Sequence, residues 1–110
     1  VGDSCIVGSH VEVARSKLGA GVKISHQAFV GDATLGDRVI IGAGVVFCNF
    51  NGSGRQSSEV GVDTLVGSGT LIVSPIGIGA RVVIGAGSVV SKNIEDEERF
   101  VQSRYRQINV

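Results

Sequence analysis

The chain has 110 residues, ten basic and ten acidic, 43% hydrophobic and only 5% aromatic, with seventeen glycines, one proline and two cysteines. Its charge balance leaves no electrostatic footprint for DNA, RNA or anionic lipid, and no apolar run reaches the roughly 18 residues needed to span a membrane. Cys5 and Cys48 fall too far apart along the pattern for a disulfide framework, so a reducing cytoplasm is the expected setting.

In chain order, an aliphatic or aromatic residue recurs at intervals of mostly six: Val1, Val7, Val13, Leu18, Ile24, Val30, Leu35, Ile41 and Phe47, then Val60, Val66, Ile72, Ile78, Ile84 and Val90. The next position is often glycine, and the position four further on is small or β-branched, as at Cys5, Val11, Val22, Ala28, Val39, Val45, Thr64, Thr70, Val82 and Ser88. A period of six excludes an amphipathic helix, and each unit is too short for a helical repeat. Short strands joined at tight corners remain: three units form one triangular coil, the aliphatic and the small residue face inward, and the chain makes about five coils of a single-stranded parallel β-helix. The first two coils advance by seventeen residues because Val13–Lys17 and Val30–Thr34 are five-residue units.

Between Phe47 and Val60 the register breaks, and 51–59 (Asn-Gly-Ser-Gly-Arg-Gln-Ser-Ser-Glu) reads as a loop protruding from one face, a common place for binding residues. The β-helix is expected over 1–94, followed by a tail, 95–110, that caps the last coil or packs on a neighbouring subunit. The chain enters the repeat in phase at Val1, which reads as a fragment or excised domain.

The residue ending each unit points outward, yet one face carries Ile6, Ile40, Leu65 and Val83 there, and the next carries Phe29, Val46, Leu71 and Val89. Two apolar ladders predict cyclic association, a trimer of parallel prisms. His10 and His26 are the histidines, the side chains suited to proton transfer near neutral pH. His26 occupies an outward corner position that in other coils holds Ser9, Ala43, Ser68 and Ala86. These stack into one line, a shallow groove of small residues with an imidazole at one end, suited to an extended thioester carrier. Zinc chemistry on three histidine ligands is a weak reading, since the chain has two histidines in all, and no metal is required by the sequence.

The run 25–36 (Ser-His-Gln-Ala-Phe-Val-Gly-Asp-Ala-Thr-Leu-Gly), followed by Ile41-Gly42-Ala43-Gly44 and Cys48-Asn49-Phe50-Asn51-Gly52, resembles the left-handed β-helix acetyltransferase domain of the bifunctional N-acetylglucosamine-1-phosphate uridyltransferase. The likeness runs from about Val7 to Arg104. It implies a left-handed coil, a homotrimer, acetyl-CoA as co-substrate and acetyl transfer to the amine of glucosamine 1-phosphate. It further implies that His26 is the catalytic base, that Ala43, Ser68, Ala86 and Arg104 hold acetyl-CoA, and that Phe29, Ile40, Asn49, Phe50 and Arg55 lie at the acceptor.

The acceptor half departs from that pattern. Ala14 stands where the family has a lysine for the sugar phosphate, Phe29 and Phe50 where it has tyrosines, Ile40 where it has an asparagine, and Arg55 where it has a second lysine; Asn49 is kept. A further family arginine would fall before Val1. Losing the lysine and the asparagine removes charge-assisted contacts worth about 1.5–3 kcal/mol each, which predicts poor binding of glucosamine 1-phosphate. Two readings follow: an acyl-CoA-dependent acyltransferase with a different acceptor, or a non-catalytic trimeric scaffold that still binds CoA.

Overall fold

The computed structural model describes residues 2–50 and 52–102. The strands are two or three residues long and fall into three parallel sheets, the faces of a triangular, left-handed β-helix. The first sheet stacks Ile6–Val7, Lys23–Ile24, Ile40–Ile41, Leu65–Val66, Val83–Ile84 and Arg99–Phe100. The second stacks Glu12–Ala14, Phe29–Gly31, Val46–Cys48, Leu71–Val73 and Val89–Val90, and the third Lys17–Leu18, Ala33–Leu35, Ser58–Val60 and Ile76–Ile78.

Hexad spacing produces this because a two-residue strand and a four-residue corner return one aliphatic to the interior per face. From Leu18 through Val90 every repeated aliphatic is buried, and so is every small or β-branched partner from Val22 to Ser88. The core is therefore a column of stacked Ile, Val and Leu, with Phe47 fully enclosed on the second sheet and paired in register with Ile72. Val7 is 46% exposed although its register is inward; among the described residues only the second coil packs against it.

The polar groups of the column are satisfied in kind. Thr64 Oγ1 donates to the Gly79 carbonyl at 2.8 Å, Ser88 Oγ donates to the Gly85 carbonyl at 2.6 Å, and the buried Ser58 and Ser74 hydroxyls share a hydrogen bond of 2.6 Å. Among the described residues no buried side-chain nitrogen or oxygen lacks a partner, as a narrow core with little room for water requires.

Corner lengths differ by face. From the first sheet to the second the chain always advances six residues, as from Lys23 to Phe29 and from Leu65 to Leu71, and from the third back to the first it again advances six, as from Thr34 to Ile40. All variation lies between the second and third sheets: Glu12 to Lys17 takes five residues, Val46 to Glu59 thirteen, and Leu71 to Gly77 six.

Two boundaries differ from the sequence expectation. Ser58 and Glu59, read as the end of the loop, are already in the third sheet, where Thr34 pairs with Glu59 and the Ser58 side chain turns inward to Ser74. Past Ile94, where the repeat signal stops, the chain continues around another corner, and Arg99–Phe100 joins the first sheet against Val83–Ile84. Gln102 then covers the open edge of the second sheet: the Val89 amide donates to its Oε1 at 2.9 Å. Hydropathy misses this last turn because the acidic run Glu95–Glu98 hides it.

Candidate functional site

The corner between the first and second sheets places the residues singled out by spacing. At each level the amide of the next residue donates to the carbonyl one coil below: Gln27 to Ser9 at 3.0 Å, Gly44 to His26 at 3.1 Å, Gly69 to Ala43 at 2.8 Å and Gly87 to Ser68 at 2.8 Å. Ser9, His26, Ala43, Ser68 and Ala86 are thereby locked into one column, one strand spacing of about 4.8 Å apart. His26, Ser68 and Ala86 are exposed and Ala43 is half-buried.

Each corner turns through a left-handed residue, His10, Gln27, Gly44, Gly69 and Gly87, with φ between 58° and 72°. Glycine supplies that conformation in the last three coils, and a Cβ built on Gly44, Gly69 or Gly87 would meet nothing within 4 Å. The corner residues beside Ala43, Ser68 and Ala86 are therefore glycines without side chains, and among the described residues the corners at Gly44 and Gly69 are open. The preceding glycines serve the opposite purpose. A Cβ on Gly42 would lie 2.5 Å from the Ser68 amide nitrogen, and one on Gly67 2.5 Å from that of Ala86, so only hydrogen lets successive coils close.

Below His26 the surface opens into a cleft of about 650 Å³ lined by Ile6, Gly8, Ser9, His10, Lys23, Ile24, Ser25, His26 and Gln27. Among the described residues the His26 imidazole has no hydrogen-bond partner, and it faces solvent.

Other residues of interest lie around the neighbouring corner. The Phe29 ring turns back over Gly31, and the Asn49 amide sits beside it: a Cβ on Gly31 would meet Phe29 Cζ at 2.6 Å and Asn49 Nδ2 at 2.5 Å. Asn49 Nδ2 donates to Asp32 Oδ2 at 2.5 Å, while Arg15 forks onto the same carboxylate at 2.8 and 3.1 Å. The Arg15 guanidinium, aided by the Asn49 amide, holds Asp32 below the usual carboxylate range against the opposing effect of burial. Phe50 and Arg55 form an antiparallel bridge at the base of the excursion, and the Gln56 amide donates to the Asn49 carbonyl at 2.6 Å. Phe50 is 66% exposed.

Ile40 lies apart from these, on the first sheet between Lys23 and Leu65. Arg104 falls outside the described residues. Lys23 and Gln27 carry no motif of their own in the sequence, and His10 stands there only as a second histidine. Their shared signal is place in the repeat: His10 and Gln27 hold the corner position where later coils carry glycine. The Arg15–Asp32–Asn49 chain has no sequence signal, because it depends on stacking of coils seventeen residues apart.

The two outward ladders are as the spacing predicts. Ile6, Lys23, Ile40, Leu65 and Val83 are paired in sequence along the first sheet, and Glu12, Phe29, Val46, Leu71 and Val89 along the second. The third face carries Lys17, Thr34, Glu59 and Gly77 and is the polar one.

No protein-family model matches the chain. It is 42% identical over 96 residues to the bifunctional protein GlmU of Synechococcus sp. (strain CC9605), which covers 87% of this chain and 21% of that protein. It is 44% identical over 104 residues to the bifunctional protein GlmU of Chromobacterium violaceum, covering 94% and 23%. The chain thus spans about a fifth of the length of the curated relatives it matches. Among solved structures, the acetyltransferase domain of PglB from Neisseria gonorrhoeae, in complex with acetyl coenzyme A, superposes with a TM-score of 0.61 at 23% identity. That match covers 90% of this chain and 49% of the other. The H141A mutant of GDP-perosamine N-acetyl transferase from Caulobacter crescentus, in complex with CoA and GDP-perosamine, gives 0.64 at 20% identity, covering 90% and 50%. These likenesses show the fold, and the GlmU identities show that this hexapeptide repeat is related to the acetyltransferase region of GlmU.

Proposed function

We propose that this chain is the catalytic unit of an acyl-CoA-dependent acyltransferase, most naturally an acetyltransferase, in which His26 is the general base. The observation that carries the reading is the column itself: one imidazole heads a line of Ala43, Ser68 and Ala86 beside corners that carry no side chain. Such a line accepts an extended pantetheine arm, and its exposed backbone offers hydrogen bonds along the length of that arm. Solved acetyltransferases of the same fold hold acetyl coenzyme A or CoA, which supports the same co-substrate here.

The chemistry follows from the imidazole. A neutral His26 takes the proton of an amine or hydroxyl as that nucleophile adds to the thioester carbonyl; the new C–N or C–O bond forms, the C–S bond breaks, and the departing thiolate takes the proton from the imidazolium. The oxyanion that develops needs a donor close by, and the Ser25 hydroxyl, in the cleft lining beside His26, is one that this chain offers. Arg104, as a cation following the last turn, suits a phosphate of the carrier.

Glucosamine 1-phosphate is a poor candidate acceptor. Ala14 carries no charge, Ile40 presents an aliphatic surface, and the Asn49 amide is already engaged by Asp32. Phe29, Phe50 and Arg55 complete the acceptor side in this reading. The working assembly is a homotrimer, since the two apolar ladders are adjacent faces of one prism and a threefold ring covers both in every subunit. The two thiols, Cys5 and Cys48, lie on different coils and are free, which suits a cytoplasmic setting.

One observation favours a second reading, a CoA-binding scaffold without turnover: within the described residues nothing orients the His26 imidazole. A thiol-release assay with acetyl-CoA and a panel of amines and alcohols separates the two. The acyltransferase reading expects turnover that His26→Ala lowers at least a hundredfold with CoA affinity by calorimetry unchanged. Absence of His26-dependent turnover with every acceptor, together with CoA binding, would establish the scaffold; absence of both defeats each reading.

A further inference from the structure

We propose that the cleft below His26 is an anion subsite for the acceptor, built by Lys23 and His10, so that the acceptor is a compact amine or alcohol bearing a carboxylate or phosphate near its nucleophile. This inference rests on the acyltransferase reading and adds to it the residues that choose the substrate.

Three observations converge on it. The first is charge. Lys23, His10 and His26 line the cleft, Ser9, Ser25 and Gln27 add neutral donors, and no carboxylate is among the lining residues. The nearest acidic side chain along the chain, Glu12, stands on the second sheet opposite Phe29. Lys23 stands in the first-sheet ladder between Ile6 and Ile40, the one lysine among the residues that line the cleft.

The second is position. The line proposed for the acyl carrier runs from His26 through Ala43 and Ser68 to Ala86, toward the later coils. The cleft lies over the first two coils, on the opposite side of the same imidazole. A nucleophile entering from the cleft meets His26 before it meets the thioester. The third is conformation. In the three coils beside the carrier line the left-handed corner residue is glycine, whereas the two corners over the cleft carry His10 and Gln27 at φ 58° and 61°. These two side chains thus line the cleft, while left-handed side chains at other corners, such as Arg38 and Asp63, pair with one another.

Size follows from the same geometry. His10 lies one coil below Gln27, about 4.8 Å away, and Lys23 is three residues before His26 on the strand that enters the corner. Cleft and imidazole share one lining, which places the anionic group and the attacking atom in the same cavity of about 650 Å³.

The test is titration of inorganic phosphate and of acetate against the imidazole proton resonances of the whole protein, with and without saturating CoA. Only two histidines contribute, and the variants assign them. The expected result is a saturable shift of both resonances in either condition, weakened at least tenfold by Lys23→Met, restored by Lys23→Arg, and reduced by His10→Phe. No saturable shift, or one indifferent to Lys23→Met, overturns the proposal. A response present only without CoA assigns the anion to the carrier's own phosphates and also overturns it. In turnover assays, matched amines with and without a carboxylate or phosphate are compared. The anionic member should have at least tenfold higher kcat/KM, and Lys23→Met should abolish that preference through its KM while leaving the KM for acetyl-CoA unchanged. Equal use of both members refutes the subsite. Loss of all turnover with the anion response intact refutes the acyltransferase reading instead.

Discussion

Gly67 and Gly85 occupy the same place in consecutive repeats, each following a buried isoleucine or valine and preceding a column residue, yet they should respond differently to the same substitution. A methyl group on Gly67 would lie 2.5 Å from the Ala86 nitrogen, 2.7 Å from the Ile84 oxygen and 2.8 Å from the Ala86 Cα. All three are backbone atoms of the next coil, and ordinary contact begins near 3.4 Å, so the coils must part by 3.4 − 2.5 = 0.9 Å at this point. The Gly67 amide also donates to that Ile84 oxygen at 2.8 Å, a bond the separation would stretch. Overpacking of this kind costs about 1–3 kcal/mol, and weakening one backbone hydrogen bond adds about 1, giving an expected loss of about 2–4 kcal/mol for Gly67→Ala. For Gly85→Ala the nearest atom is the Phe100 oxygen at 3.6 Å, an ordinary contact. That variant should stay within about 0.5 kcal/mol of the parent, with reduced unfolded-chain entropy acting in its favour.

Urea unfolding followed by circular dichroism, at fixed protomer concentration because association contributes to apparent stability, measures the difference. With a slope of about 1.5 kcal/mol per molar, a loss of about 3 kcal/mol lowers the midpoint by roughly 2 M. If the two variants lose equal stability, or Gly67→Ala loses less than about 0.5 kcal/mol, close approach of coils is not what selects glycine there.

Acid should destabilise the prism at its corners. Arg15 lowers Asp32, and Arg38 lowers Asp63, each chiefly through a side-chain hydrogen bond. Carboxyls whose folded values are depressed contribute stability above their unfolded value, near 3.8–3.9, and lose it as pH falls through the folded value. The unfolding midpoint should therefore fall below about pH 4, and Asp63→Asn should flatten that decline; an unchanged acid limb in the variant would exclude this ion pair as its source. The apolar ladders supply another test. Leu65 and Leu71 are 40% and 38% exposed, and Leu65→Glu combined with Leu71→Glu should yield monomers in sedimentation velocity with the β spectrum preserved. A parent-sized particle would remove these faces from the interface.

The coil was legible in the sequence because its determinants are local and repeated: one aliphatic per hexad, a small residue four positions on, glycine where coils approach. The column from Ser9 to Ala86 was legible for the same reason, since equal spacing between the first two sheets turns a position in the repeat into a position in space. What stayed hidden depends on contacts the repeat does not encode. Arg15 meets Asp32 across seventeen residues, and Arg38 meets Asp63 across twenty-five, the latter distance set by the excursion. Arg99–Phe100 joins a sheet after an acidic run, guided by hydrogen bonds rather than hydropathy; the Val83 amide donates to Glu98 O at 3.1 Å and the Gly85 amide to Phe100 O at 2.8 Å. The cleft is equally invisible to a pattern of inward residues, because it is made by outward ones on two successive coils.

Among the described residues only one seam of the prism varies in chain length, the corner between the second and third sheets, where the advance is five, thirteen, six or, from Val90 to Ile94, four residues while the other two corners keep six. The column through His26 is thereby insulated from remodelling: a segment inserted along this seam extends outward, and the column keeps its pitch. Phe50 and Arg55 ride on the one large insertion already present. New loops can accordingly be grafted at the tight turns after Ala14, Gly31 or Val73 without resetting the rungs of the proposed carrier line, which makes this edge the place where an added loop disturbs the column least.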